Sequence, residues 1–284
     1  MTRLSIAVLG AWVAFSVQVS PAAAQPSPPI IDLHFHYSET WDIDAFVKQM
    51  DALGVAKAGN ASRSARDALA LDWAREHPDR FIPFAGKEAI RDFIRSDGER
   101  AWNLQAAAVV VYLQQLEAAL KAGEFKGIGE INIYSGPRFP ADSPLVRRLW
   151  SLSVAYRVPL SIHLDARDEP VAEMERLVAS ELQGTLIWAH AGGAGPALVR
   201  RLMQAYPNLY ADLSGRLPAL MRIRGWKVLL EEFPDRFVIG SDVPSLAQFV
   251  DTIGSWRKIL DELPPTTAKK LAHENAERLL NPRR

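Results

Sequence analysis

From Ile30 onward the chain alternates short runs rich in β-branched and aromatic residues with longer stretches whose apolar positions recur every three or four residues. The short runs read as strands and the longer ones as amphipathic helices, because a period near two buries a strand face and a period of 3.6 buries a helix stripe. Strands are predicted over 30–36, 55–59, 81–85, 126–133, 158–164, 185–191, 208–213 and 236–242. Helices are predicted between them over 42–53, 64–77, 143–156, 170–182, 196–206 and 218–233, another opens at Pro244, and a final one covers 266–280. Ser143 followed by Pro144 has the form of a helix start, with Ser as cap and Pro at the first helical position.

Strands that alternate with helices imply a parallel sheet with crossover connections. Eight such units predict an α/β fold, a single-domain (β/α)8 TIM barrel over residues 30–282; a doubly wound open sheet shares the alternation and is the runner-up. One interval is too long for a simple unit. Forty residues, 86–125, separate the third strand from the fourth, and within them 101–123 reads as one long helix after a turn at Asp97-Gly98. This extra helical segment fits either a lid or an outer packing layer.

The first 24 residues differ from the rest. Arg3 is followed by an apolar run from Leu4 to Val19 and then by Ser20-Pro21-Ala22-Ala23-Ala24, the layout of a signal peptide with an Ala-x-Ala cleavage pattern. The run is short for a spanning helix of about 20 residues. The expected mature chain starts at Gln25 and is periplasmic or secreted.

Thirty-three basic residues balance thirty-three acidic ones, and loss of the leader removes Arg3 and no acid, leaving a net charge of −1. No global field therefore favours nucleic acid or an anionic membrane. The expected partners are a small-molecule substrate and at most further copies of the chain, with no nucleic acid and no membrane once the leader is gone. The absence of cysteine excludes disulfides, thiolate nucleophiles and thiolate zinc ligands, so any metal must be held by histidines and carboxylates.

Chemistry gathers at the strand ends. Asp32, His34 and His36 are two residues apart, which puts three side chains on one strand face. Later strands finish with Glu130, His163, His190 and Asp242, all at carboxyl ends, where barrel enzymes assemble their sites. A lone histidine at a strand end is usually a satisfied polar residue, and Asp242 alone reads as a turn residue or helix cap. The conjunction points to a site, since four of the six histidines sit there; His77 and His273 fall at or within helices and read as surface residues.

The segments Ile31-Asp32-Leu33-His34-Phe35-His36, Gly127-Ile128-Gly129-Glu130, Ile162-His163, Ala189-His190-Ala191-Gly192-Gly193 and Gly240-Ser241-Asp242-Val243-Pro244, in this order, resemble the amidohydrolase superfamily of metal-dependent hydrolases. Residues 210–215 and 274–280 are similar to segments of its amidohydrolase-related (amidohydrolase 2) branch, which includes decarboxylases and lactonases. The resemblance implies that His34, His36 and Asp242 hold a divalent metal, zinc by expectation, and that His163 and His190 face a second metal or the substrate. Glu130 decides the count: as a bridging carboxylate it makes a two-ion site, the arrangement expected here, whereas with one ion His190 is free to transfer protons. Lys126 has Glu130's parity four residues earlier and lies too deep to bridge.

Such an ion lowers the pKa of water from 15.7 to about 7 and polarises a carbonyl or phosphoryl oxygen. Asp242 and His190 are then the catalytic acid/base residues, with Asp32 and Asp212 supporting the ligands from behind. Arg138 and Arg216, in loops after the fourth and seventh strands, are candidates to clamp an anionic substrate, and Tyr37, Tyr134 and Trp188 are candidates to line the pocket. The expected activity is hydrolysis of a small ester, lactone, amide or phosphoester. Decarboxylation of an unsaturated or aromatic carboxylic acid is the nearest alternative, and a non-catalytic periplasmic metal- or solute-binding protein is the alternative of another class.

Overall fold

The computed structural model describes residues 27–63, 67–133, 138–215 and 224–281. The leader, the start of the helix predicted from residue 64, Tyr134, Arg216 and the start of the helix predicted from residue 218 lie outside them. The strands are β1 (Ile30–Asp32), β2 (Val55–Ala61), β3 (Phe81–Ala85), β4 (Gly127–Asn132), β5 (Leu160–His163), β6 (Leu186–Trp188), β7 (Leu209–Asp212) and β8 (Phe237–Val238). Every strand pairs in parallel with the next in the order β1 to β8, and an Asp32–Ile239 bridge joins the last strand region to the first. This is the predicted barrel.

Helices alternate with the strands: α1 (Ile43–Leu53), α2 (Ala68–Glu76), α3 (Lys87–Asp97), α4 (Glu99–Trp102), α5 (Ala107–Lys121), α6 (Pro144–Tyr156), α7 (Asp168–Ser180), α8 (Pro196–Ala205), α9 (Arg224–Glu232) and α10 (Leu246–Asp261). The chain ends in α11 (Pro265–Lys269), a π-helical turn (Lys270–Glu274) and α12 (Asn275–Leu280). Their apolar stripes close on the strands: Phe46, Leu149, Val199 and Phe249 from helices share one buried cluster with Phe81, Ile128 and Leu160 from strands. As expected from sequence, Ser143 caps α6, its Oγ accepting from the Val146 amide with Pro144 in the first turn.

Two expectations change. The strands carrying the site motifs are shorter than predicted, because the backbone leaves the ladder to serve the site: the His34 amide donates to the Asp32 carboxylate at 3.0 Å, and the Asp242 amide donates to the His34 carbonyl at 2.6 Å. The interval before β4 holds three helices instead of one. Leu104, at φ 59°, breaks the long helix between α4 and α5. Val109, Leu113, Leu116 and Leu120 of α5 are buried at helical spacing, so this segment is an outer packing layer.

Candidate metal centre

The carboxyl ends of β1, β4, β5, β6 and β8 bring His34, His36, Glu130, His163, His190 and Asp242 to one place. Three histidines there are oriented from behind. His34 Nδ1 donates to Asp212 Oδ2 at 3.0 Å, His36 Nδ1 to the Ala61 carbonyl at 2.9 Å, and His190 Nδ1 to the Ser214 carbonyl at 3.1 Å. Neither a carboxylate nor a carbonyl oxygen can donate, so each Nδ1 carries a proton, and the neutral ring keeps at Nε2 the lone pair that a metal would take. All three lone pairs point at the same two carboxylates. His34 Nε2 lies 3.5 Å from Glu130 Oε2 and 3.7 Å from Asp242 Oδ1; His36 Nε2 is at 3.1 and 3.4 Å from the same atoms; His190 Nε2 is 3.6 Å from Glu130 Oε1 and 3.5 Å from Asp242 Oδ2.

Lone pairs facing carboxylate oxygens call for a cation between them. His34 Nε2 is a fully buried nitrogen with no hydrogen-bond partner, an arrangement rare in folded proteins unless something binds there. Two groups of three residues bring ligand atoms within 4.8 Å of one another, His34–His36–Asp242 and His34–Glu130–His190. Both use His34, whose single free lone pair serves one ion at a time. The donors, imidazole nitrogens and carboxylates, suit a divalent ion of the zinc or manganese type.

Electrostatics agree with that demand. Burial pushes His34 down, yet the carboxylates of Asp212, Glu130 and Asp242 together hold it well above its ordinary value, so positive charge at this ring is strongly favoured. Burial, and after it the Lys87 ammonium, lower His36 to about 4, which keeps the ring neutral and its lone pair available. Burial opposes ionisation of Glu130, but Lys87 and the surrounding histidines hold it well below the carboxylate range. Asp212, equally buried, is held low by His34 and its hydrogen bonds. Its Oδ1 accepts from the His190 and Ser214 amides and from the Ser214 hydroxyl, so one carboxylate positions two of the histidines. Asp32 Oδ1 accepts the His34 and Ser241 amides, tying the first motif to the last, and burial raises this carboxyl to about 6.

His163 differs from the other three. Its Nδ1 lies 2.7 Å from Glu130 Oε1, so this ring faces the carboxylate with the nitrogen that the others turn toward backbone or Asp212. Asp242 is the exposed carboxylate of the set, its side chain 26% accessible against 2% for Glu130. His190, Ala191 and Asp242 adopt left-handed φ of 57°, 45° and 45°, unusual for residues with a side chain and a frequent mark of functional sites.

Other sequence candidates fall elsewhere. Arg138 donates to Glu173 at 2.6 Å, and with Leu164, Asp165, Arg167 and Glu169 it lines a cavity of about 430 Å³. Tyr37 packs edge-on against Phe35 and Trp73 in the core, and Trp188 donates to the Leu164 carbonyl from a fully buried position; both are framework residues. His77 and His273 stand apart from the centre beside Asp44 and Glu277, and are more covered than surface residues would be. A cavity of about 1020 Å³ opens among Lys57, Thr185, Tyr210 and α12, where strands begin, and touches none of the ligand set.

Two residues near the ligands carry no signal when only strand-end histidines and carboxylates are read. Lys87, the first residue of α3, donates from Nζ to Glu130 Oε2 and to His36 Nε2, the latter at 3.1 Å. Arg63, just beyond β2, reaches Asp242 Oδ1 at 3.5 Å. β2 and β3 supply no histidine or carboxylate at their ends, but each has a cation shortly past its last residue, Arg63 after Ala61 and Lys87 after Ala85. Counting cations beside ligand types at every strand end finds both.

The fold recurs in solved structures of low sequence identity. A 4-oxalomesaconate hydratase of Rhodopseudomonas palustris superposes with a TM-score of 0.63 at 15% identity, covering 88% of this chain and 95% of that one. A dihydroxybenzoic acid decarboxylase of Polaromonas, with bound manganese and an inhibitor, gives 0.58 at 17% over 89% and 97%. An amidohydrolase 2 of Bifidobacterium longum gives 0.58 at 16% over 89% and 99%. No curated protein matches the chain in sequence. The amidohydrolase family profile matches residues 31–281, from the strand that carries His34 and His36 to the final helix, and this chain belongs to that family of enzymes.

Proposed function

We propose that the chain is a metal-dependent hydrolase of a small ester, lactone, amide or phosphoester, and that it works with one divalent ion held by His34, His36 and Asp242. The observation that carries this reading is the set of Nε2 lone pairs, each fixed by a proton on the far nitrogen and turned toward the carboxylates. A divalent ion supplies activated water at neutral pH and polarises the substrate oxygen. The chain's own residues do the rest. Asp242 is the carboxylate that solvent and substrate reach, and it takes a proton from the attacking water and returns it to the leaving group. His190, with its Nε2 3.5 Å from Asp242 Oδ2, is placed to relay that proton. Arg63, beside Asp242, is the candidate to hold an anionic substrate.

The two-ion alternative needs Glu130 as a bridge, and its Oε2 is already engaged by Lys87. Decarboxylation of an unsaturated or aromatic acid is the second reading. It is supported by a His190 that the His34–His36–Asp242 group leaves free, and by likeness of fold to a decarboxylase that binds manganese. A panel of lactones, esters, amides, phosphoesters and aromatic carboxylates, run on metal-loaded protein, separates the two. Hydrolysis that falls by about 10²- to 10⁴-fold in Asp242→Asn is expected. Release of carbon dioxide without hydrolysis of any panel member would overturn the hydrolase assignment.

For location, we infer export to the periplasm or beyond from the leader pattern of residues 1–24. Among the described residues no helix is long and apolar enough to cross a membrane. Mass spectrometry of native protein is expected to show a chain starting at Gln25, and a cytoplasmic chain retaining Met1 to Ala24 would refute export.

A further inference from the structure

The positive charge nearest the ligand set belongs to the protein. Lys87 opens α3 directly after Gly86, whose φ of 105° turns the chain from β3 into the helix. The Gly86 amide donates to Asp67 Oδ1 at 2.9 Å, and Asp67 Oδ2 accepts the Tyr112 hydroxyl at 2.7 Å, so the backbone at the root of Lys87 is anchored to α5. The side chain is 11% exposed, and its ammonium donates both to Glu130 Oε2 and to the His36 lone pair.

We propose that Lys87 is a built-in cation standing where a second metal ion would bind, so that the centre accepts a single divalent ion and Glu130 cannot bridge two. This rests on the one-ion reading of the site and explains it. Two ions about 3.5 to 4 Å apart need a bridging oxygen ligand with free lone pairs on both sides. Glu130 is the carboxylate on β4, and its Oε2 is occupied by an ammonium, so it has no free oxygen on that side to share between two ions. An ammonium brings one charge and no need for further ligands, so it neutralises Glu130 without completing a second coordination shell. An ion that takes the His36 lone pair leaves Lys87 its contact with Glu130. Lys87 therefore sets the metal count by position and charge.

The test is the number of divalent ions bound per chain, measured by elemental analysis after equilibration with zinc or with manganese alone. One ion is expected in the parent protein and two in Lys87→Met, which keeps an apolar stem of similar length but frees Glu130 Oε2 for a second cation. Lys87→Arg is expected to restore one, and Glu130→Gln placed in the Lys87→Met background is expected to return the count to one by removing the bridge. Far-UV circular dichroism accompanies each variant, and Lys87→Gln takes the place of Lys87→Met if the latter does not fold. An unchanged count in the folded Lys87→Met or Lys87→Gln protein, or two ions in the parent, would overturn the role of Lys87. A parent that binds no ion would instead refute the metal-dependent reading on which the proposal rests.

Discussion

At the scale of single residues, the proposed centre depends on groups outside its candidate ligand set. Asp212 is the clearest case: one oxygen fixes the tautomer of His34 and the other fixes the backbone of His190 and the hydroxyl of Ser214. Loss of such a partner typically weakens metal binding by about 10- to 100-fold. Asp212→Asn keeps the size but not the charge, and it is expected to fall in that range in a metal titration, with circular dichroism unchanged. Unaltered affinity would show that the ring of His34 is oriented by packing alone. This carboxylate was legible in the sequence as a support for the ligands. Lys87 was not, because it stands on a helix in the interval that sequence periodicity left coarse, and lysine lies outside the ligand types that a search for metal sites reads.

At the scale of elements, the strands do not end where hydrophobic alternation stops. The period of two put Asp32, His34 and His36 on one strand end, yet the regular ladder of β1 stops at Asp32, whose own carboxylate captures the His34 and Ser241 amides. Alternation reports which residues are buried, and it is silent on whether a buried amide bonds to a neighbouring strand or to a carboxylate. The same crowding explains Gly240. A Cβ built there would lie 2.5 Å from His34 Cβ and 3.3 Å from Asp212 Oδ1, so this position needs a residue with no side chain. Gly240→Ala is expected to push His34 off its Asp212 partner, lowering the melting temperature and weakening metal binding together. A variant with parental metal affinity would show that β8 can shift without disturbing the ring.

At the scale of the whole molecule, the barrel converts distance along the chain into proximity: His34 and Asp242, 208 residues apart, have side-chain atoms 3.7 Å from each other. Eight alternations of strand and helix were enough to expect this closure, because carboxyl ends of parallel strands share one rim. What the pattern could not convey was the charge balance at that rim, since the ammonium of Lys87 and the guanidinium of Arg63 arrive from elements that supply no ligand. The most direct measurement of the centre is the divalent metal content of the purified protein and of His34→Ala, by elemental analysis after dialysis. His34 contributes to both candidate ligand groups, so one ion per chain is expected in the parent and none in the variant. Full occupancy in His34→Ala would contradict the centre described here.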